Sequence, residues 1–294
     1  MMKVNDLTTV YKDDCFKHFK KIEDNSIDLI LTDPPYEIGY KDNIAKGEAK
    51  KRGEKLEVKA IKNDEEGDID WDTFFKECHR VLKPKKMLYL CCRTDMVMRI
   101  TGAILDSGLR YCHDFLWFKG DMGYGNLNIM GVTHELVLGL SKETPEKSRV
   151  IQVDGVDKKR TPAFYFGKTS TTEYVGHPTQ KPVGMMMYIV ENRTDPGDLV
   201  LDPFCGSAST LMACQILGRK SIGIEMEQEW CDKAIARLKD EHDIEMYKHM
   251  HSQGLRVISS NVLSYPKPVR AKDAPKKKRG KVVEQIKYKQ EEMF

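Results

Sequence analysis

Ile27-Asp28-Leu29-Ile30-Leu31-Thr32-Asp33-Pro34-Pro35-Tyr36 is the stretch around which the chain is organised. Aliphatic and β-branched residues dominate Ile27–Thr32 and a prolyl pair ends the run, which predicts a buried parallel strand. Asp33-Pro34-Pro35-Tyr36 then sits at the strand's carboxyl edge, where open α/β sheets bind their ligands. Proline has no backbone N–H, so Pro34 and Pro35 stiffen the chain and offer carbonyls as pure acceptors. Asp33 adds a carboxylate and Tyr36 a flat ring. Acceptors beside a stacking face suit an exocyclic amino group on a planar base. Its N–H bonds would be held by Asp33 and the Pro34 carbonyl, its lone pair turned toward an electrophile, and positive charge developing on nitrogen would face a fixed negative group. A strand-ending turn with an incidental tyrosine is the plainer reading, and the rest of the chain decides between them.

The chain of 294 residues can hold one large α/β domain or two small ones. With 40% hydrophobic and 32% charged residues it has the balance of a soluble protein. No run approaches the roughly 18 apolar residues that cross a bilayer, and the N-terminus leads into no signal-peptide core. An intracellular, cytoplasmic protein without a membrane partner is expected. The eight cysteines include no C-x-x-C pair and most lie in apolar stretches, so they read as reduced core thiols. His249-Met250-His251 has no cysteine or acidic cluster to complete it and reads as a solvated helix end; no metal is expected. Residues 266–294 hold ten Lys/Arg and four Asp/Glu, a net of +6, and the overall +3 leaves −3 for residues 1–265. The expected organisation is a domain over 1–264 and a disordered basic tail over 265–294.

Upstream of the central strand, Thr8-Thr9-Val10-Tyr11 reads as a strand, followed by Asp13-Asp14-Cys15 and a helix from Phe16 to about Ile22. Strand, acid, helix, strand is the order of a parallel βαβ unit. Downstream, residues 37–70 show little apolar periodicity, and 41–62 carry eight basic and four acidic side chains. So long a loop beside Tyr36 is expected to be mobile and to close over a substrate, with Lys50, Lys51 and Arg52 near phosphates, or else simply to be solvated. Helical spacing over Trp71–Leu82 that stops at Pro84, a strand Met87–Cys92, a helix from about Met96 to Leu105, and strands Tyr111–Phe118 and Glu135–Leu140 read as scaffold. Residues 141–176 are polar and irregular.

Next, His177-Pro178-Thr179-Gln180-Lys181-Pro182 opens a helix running to about Asn192. In Gly197-Asp198-Leu199-Val200-Leu201-Asp202-Pro203-Phe204-Cys205-Gly206-Ser207-Ala208-Ser209-Thr210 a strand ends in an acid and a turn of small residues, and a helix from Thr210 to Leu217 follows. Small residues let backbone approach a ligand, and helix-terminal N–H groups face it. Ser221-Ile222-Gly223-Ile224-Glu225 is a further strand, its acid 23 positions after Asp202. That is near the ~20-residue interval at which doubly wound folds set a carboxylate on ribose hydroxyls. A helix from Gln228 to about Leu238 closes the unit.

Together these motifs resemble amino-methyltransferases that use S-adenosylmethionine. Asp33-Pro34-Pro35-Tyr36 matches the [DNS]-Pro-Pro-[YFW] pattern, His177 to Pro182 the H-P-T-Q-K-P element, and the stretch from Asp202 the D-P-F-x-G-S-G-T turn. Their order, catalytic motif first and cofactor turn later, is similar to that of the circularly permuted β class of DNA amino-methyltransferases, over roughly residues 8–240. The resemblance implies an α/β fold: a doubly wound, mostly parallel seven-stranded sheet of Rossmann-like methyltransferase type, with helices on both faces and one antiparallel strand. It implies Asp33, Pro34 and Tyr36 as catalytic residues, and it places Asp14 and Cys15 near the cofactor's adenine. Thr179 and Lys181 would serve the cofactor's methionine end, Asp202, Phe204, Gly206 and Ser207 its nucleoside and amino-acid parts, and Glu225 its ribose. Ala208 replaces the pattern's last glycine; a methyl there fits a first helical turn and would narrow the pocket. Residues 141–176 become a short target-recognition insertion.

The implied reaction is methyl transfer from S-adenosylmethionine to N6 of an adenine flipped out of duplex DNA, Asp33 favouring adenine over cytosine. Cytosine N4, RNA or a protein amide as acceptor, and a catalytically dead DNA-binding regulator, stay open beside it. A homodimer and a cognate restriction endonuclease are further partners that it allows, in a bacterial or phage-infected cell. Pro275-Lys276-Lys277-Lys278-Arg279-Gly280-Lys281 reads as a phosphate-binding arm, or as a nuclear-import signal in a nucleated cell.

Overall fold

Apolar, β-branched runs that cannot face water on either side form the central strands, and the rest of the chain wraps them. In this computed structural model side chains are described for residues 2–37, 64–118, 134–147, 173–177, 179–249 and 251–252, and backbone alone for residue 250 and strands 151–153, 156–158 and 163–165. The segment carrying Lys50, Lys51 and Arg52, residues 148–150, 154–155, 159–162 and 166–172 of the expected recognition insertion, Pro178 and the basic tail lie outside the described residues.

The strands are β1 (Met2–Lys3), β2 (Thr8–Lys12), β3 (Ile27–Thr32), β4 (Leu82–Cys92), β5 (Arg110–Phe118), β6 (His134–Ser141), β7 (Ile151–Val153), β8 (Val156–Lys158), β9 (Ala163–Tyr165), β10 (Leu199–Asp202) and β11 (Lys220–Glu225). The helices are α1 (Cys15–Phe19), α2 (Trp71–Val81), α3 (Thr94–Asp106), α4 (Val183–Arg193), α5 (Ser209–Ile216), α6 (Gln228–Leu238) and α7 (Glu241–Ser252). One sheet has the order β1-β2-β11-β10-β3-β4-β6-β5-β9, and β7 and β8 form a separate hairpin. From β2 to β5 the sheet has the seven strands expected, with β6 alone antiparallel to its neighbours. Short β1 and β9 extend the two edges, so among the described residues the sheet has nine strands.

Two apolar cores flank the sheet. Leu29, Leu31 and Val200 pack with α4, α5 and α6 on one face. Ile27, Ile30 and Leu201 pack with Phe19 of α1, Phe74 and Phe75 of α2, and Ile100 of α3 on the other. The one acid inside β3, Asp28, is 5% exposed and is matched by Lys83 Nζ at 2.8 Å and by the Leu199 N–H at 3.1 Å. Its charge is therefore compensated where an unpaired one would be very costly.

Three boundaries differ from the sequence reading. Helix α1 stops at Phe19, three residues short of the expected end, and single turns through Lys21 and Ile22 replace its last part. Strand β4 begins at Leu82 and carries Pro84, which was expected to stand between helix and strand. Pairing with β3 is irregular there, jumping from Ile27↔Leu82 to Leu29↔Met87, with Lys85 at φ 65°. Such a bulge is where a strand accepts a residue that has no N–H. Helix α7 was not expected as a full element. All eight cysteines are free thiols, seven of them buried. Among the described residues no helix is long and apolar enough to cross a membrane.

Candidate active site

Parallel strands β2, β3, β10 and β11 all point their carboxyl ends at one edge of the sheet, and the segments that leave them line a cleft of about 230 Å³. Every site residue expected from sequence borders it: Asp14, Cys15, Asp33, Pro34, Tyr36, Thr179, Lys181, Asp202, Phe204, Gly206, Ser207 and Glu225. The two motif groups, far apart along the chain, thus share one space because β10 lies directly beside β3, with Val200 opposite Leu29.

At one end, Asp33 and Tyr36 sit among ionisable groups. Lys181 Nζ donates to Asp33 Oδ2 at 2.5 Å and lies 3.4 Å from Glu135 Oε2. The Tyr36 hydroxyl lies 2.9 Å from Asp33 Oδ1 and 3.0 Å from Glu135 Oε2. Lys181 also stands over the Tyr36 ring, 5.1 Å from its centroid. Burial raises the Asp33 carboxyl above its usual range, with Lys181 opposing the shift and Glu135 reinforcing it. Burial alone would depress Lys181, but Asp33 and Glu135 outweigh it and hold the ammonium above its usual value. The cluster therefore sets two carboxyl groups around one ammonium. Each carboxylate oxygen has two lone pairs, so Asp33 can still accept an incoming N–H.

The motif after Tyr36 is fixed by Glu37, which sits at φ 55° and is buried. Its Oε1 accepts from the N–H groups of Gly67 and Ile69, and its Oε2 from Trp71 Nε1 and Arg99 Nη1. Arg99 also donates to the Tyr36 carbonyl at 2.9 Å, and Asp64 accepts the Glu37 N–H at 2.8 Å.

The other end of the cleft is built on the small-residue turn. Gly206 adopts φ 45°, and a Cβ there would stand 3.1 Å from His177 Nε2. Its N–H donates to Glu225 Oε2 at 3.1 Å, and the Glu227 N–H donates to Oε1 at 2.7 Å, which fixes the Glu225 carboxylate in the cleft. Burial raises the Glu225 carboxyl, opposed by those two backbone donors. Asp14 caps α1 by accepting the Phe16 N–H at 2.8 Å, and burial pushes the Cys15 thiol up to about 12. Asp202 is 3% exposed, and its Oδ1 accepts from Thr32 Oγ1 at 2.8 Å and from the Phe204 N–H at 3.2 Å. Burial raises its pKa to about 7 despite those donors. His177 packs against Trp230, and burial, followed by the charges of Lys181 and Lys233, lowers its pKa to about 4.

Ala208 departs from expectation. It is not in the first helical turn but precedes α5 as its N-cap in the left-handed region, φ 64° and ψ 32°, fully buried in the core. Its methyl takes no room in the cleft and costs backbone strain instead. Lys181 likewise faces Asp33 and Glu135, and it is its backbone that meets the turn, its carbonyl accepting from Ser209 Oγ at 2.7 Å.

Glu135 and Arg237 were not singled out by sequence. β6 runs against its neighbours, so an acid at its start reaches the same edge as the ends of the parallel strands; the expected antiparallel strand was the available signal. Arg237 donates from Nη1 to the Ser207 carbonyl at 2.9 Å and to Ser209 Oγ at 3.1 Å, and it read only as a polar helix residue. Among the described residues no three His, Cys, Asp or Glu side chains are arranged to hold a metal ion.

A fixed carboxylate beside a strained small-residue turn, facing an acid, two prolines and an aromatic ring across one cleft, defines a nucleoside-cofactor enzyme on a Rossmann-like sheet. The chain belongs to the DNA methylase family of N6 and N4 amino-methyltransferases, whose model matches residues 27–236. It is 28% identical over 261 residues to the type II methyltransferase M.HinfI of Haemophilus influenzae, covering 82% of this chain and 71% of that protein. With the type II methyltransferase M.HpaI of Haemophilus parainfluenzae it shares 29% over 244 residues, 76% of this chain and 72% of that protein. Among solved structures, the M1.HpyAVI–S-adenosylmethionine complex aligns with a TM-score of 0.57 at 22% identity, over 79% of this chain and 100% of that one. The cytosine-N4-specific PvuII DNA methyltransferase aligns with a TM-score of 0.60 at 19% identity, over 85% and 93%. The protein is a DNA methyltransferase with S-adenosylmethionine as its cofactor, and the cleft suits that molecule: backbone approach at Gly206, a carboxylate at Glu225 and a hollow beside Trp230.

Proposed function

We propose that this enzyme methylates N6 of an adenine flipped out of duplex DNA, and the observation that carries the reading is the single cleft joining Asp33-Pro34-Pro35-Tyr36 to Gly206, Ser207 and Glu225. A base inside a duplex cannot reach Asp33, so it must leave the stack at a cost of a few kcal/mol. Tyr36 supplies the stacking face, while Asp33 and the Pro34 carbonyl accept the two amino N–H bonds. That removes the nitrogen lone pair from conjugation and aims it along the cleft. S-adenosylmethionine, when bound, supplies the electrophilic methyl carbon. Glu225 accepts from the ribose hydroxyls, Asp14 and Cys15 border the adenine, Gly206 and Ser207 admit the backbone-close parts, with Phe204 and Asp202 beneath, and Thr179 lies toward the methionine end. Lys181 acts by holding Asp33 in place. Charge developing on the amino nitrogen faces the oxygens of Asp33 and the Pro34 carbonyl, which lowers the barrier.

Cytosine N4 is the second reading, favoured by the likeness to the cytosine-N4-specific PvuII structure. Mass spectrometry of nucleosides from DNA incubated with enzyme and cofactor separates the two. N6-methyladenine is expected, and N4-methylcytosine alone would overturn the choice of base. Asp33→Ala should lower single-turnover methylation by at least roughly 10²-fold while cofactor affinity by calorimetry stays near wild type; near-normal transfer from that variant would remove Asp33 from the mechanism. Methylation-sensitive sequencing of DNA from cells expressing the enzyme gives the target context. The type II names of both relatives make a cognate restriction endonuclease the first partner to seek.

A further inference from the structure

Transfer of a methyl group to an amino nitrogen leaves that nitrogen with one proton too many. The base end of the cleft is buried, which favours a proton on Asp33, the group in contact with the amino N–H, but the geometry around Asp33 opposes leaving it there. Protonating Asp33 would forfeit its 2.5 Å ion pair with Lys181. The second carboxylate, Glu135, is held less tightly by the same ammonium, at 3.4 Å, and its side chain is only 11% exposed. Between the two carboxylates stands the Tyr36 hydroxyl, 2.9 Å from one and 3.0 Å from the other.

We propose that Glu135 is the terminal acceptor of the proton released by the target amino group, reached from Asp33 through the Tyr36 hydroxyl. This rests on the reading of Asp33 as the residue that holds the amino group, and it applies to an adenine or a cytosine alike. As the N–C bond forms, the methyl's bond to sulfur breaks and its electron pair stays on sulfur as a neutral thioether. The nitrogen then gives a proton to Asp33 Oδ1. Asp33 passes it to the Tyr36 oxygen while the Tyr36 O–H proton moves to Glu135 Oε2, so the tyrosine ends neutral and nothing is oxidised or reduced. Glu135 is a positioning and relay residue that acts through Tyr36 and does not touch the base. Groups that face it include Tyr36 from the loop after β3 and Lys181 from the segment before α4, with Asp33 and the Cys91 and Cys92 thiols of β4 close enough to act on it or on the same neighbours. Burial keeps both thiols protonated, pushing Cys92 up to about 12, and of the two carboxyl groups that Lys181 pairs with, Glu135 lies the further from its Nζ.

The test is single-turnover methylation of a hemimethylated or unmodified duplex by the wild type, Tyr36→Phe, Glu135→Gln and the double variant, with cofactor and duplex affinities measured alongside. Glu135→Gln keeps the shape, and Tyr36→Phe keeps the stacking ring and the Glu135 charge. Each is expected to slow transfer roughly a hundredfold with affinities unchanged, to alter the acid limb of the rate–pH profile, and to show no further loss when combined, because both break one path. A wild-type rate and profile in Glu135→Gln would overturn the relay, as would losses that multiply in the double variant, the mark of a purely electrostatic role for Glu135. A wild-type enzyme that methylates no DNA at all would sink the parent reading; an active wild type with unimpaired variants sinks the relay alone.

Discussion

Ala208 holds its Cβ at φ 64°, a conformation that costs a non-glycine residue about 1 kcal/mol or more. Ala208→Gly should therefore raise stability by about 1 kcal/mol in urea unfolding, with cofactor affinity unchanged; a loss of stability would mean that the buried methyl's packing outweighs the strain. Asp202 makes the second prediction at this scale. Its pKa of about 7 lies above the ordinary 3.8, so between those values the folded state holds a proton that the unfolded chain has released. Stability is then lost as pH rises through that window. Asp202→Asn keeps the oxygen that accepts from Thr32 and Phe204, and relative to wild type it should gain up to a few kcal/mol as pH goes from about 4 to 7. Thermal midpoints measured across that range check it, and a constant difference would remove the effect. Sequence could name these two residues but not their condition. The pattern around Ala208 gives residue types and no φ, and the carboxyl of Asp202 is desolvated by strands that lie far from it in the chain.

Among the elements, those with a strong apolar rhythm were legible: β3, α2, α4, β10 and α6 fall within about two residues of expectation. Helix α7 was hidden because its buried face rests largely on Tyr247, with Ile244 and Met246 partly covered, among charged neighbours. β1 and β9 are two and three residues long and owe their form to the strand beside them. Most of the cleft's motif residues were legible for the same reason as the core strands, since they stand at or just after a strand end, whereas Thr179 and Lys181 were legible from the H-P-T-Q-K-P element ahead of α4. Glu135, Arg237 and Glu37 were not, because what marks them is a partner distant in sequence. Glu37 joins the end of the catalytic motif to the start of α2 by accepting from four donors, one of them Arg99. Removing a buried charged partner of this kind costs roughly 3–5 kcal/mol. Glu37→Ala should lose that order of stability in denaturant unfolding. It should also slow methyl transfer, since Arg99 then holds the Tyr36 carbonyl alone. A variant as stable as wild type would show that the four donors find water.

For the whole molecule, the charge division legible in sequence yields a prediction about DNA. Residues 266–294 carry a net +6 against −3 for the remainder. Truncation after residue 265 should weaken duplex binding, reduce the slope of log affinity against log salt, and leave the modified base unchanged. An unaltered salt slope would free the tail from that role. The sheet has a consequence of a different kind. Strand β3 takes one neighbour, β4, from nearby sequence and the other, β10, from about 170 residues later, as the Thr32–Asp202 bond records. While the polypeptide is still emerging from the ribosome, Asp33 is made early and has to wait unsheltered for the pocket wall that follows about 170 residues later. A chain stalled before β11 lacks Glu225 and the strand that carries it, so its cleft stays open on that side.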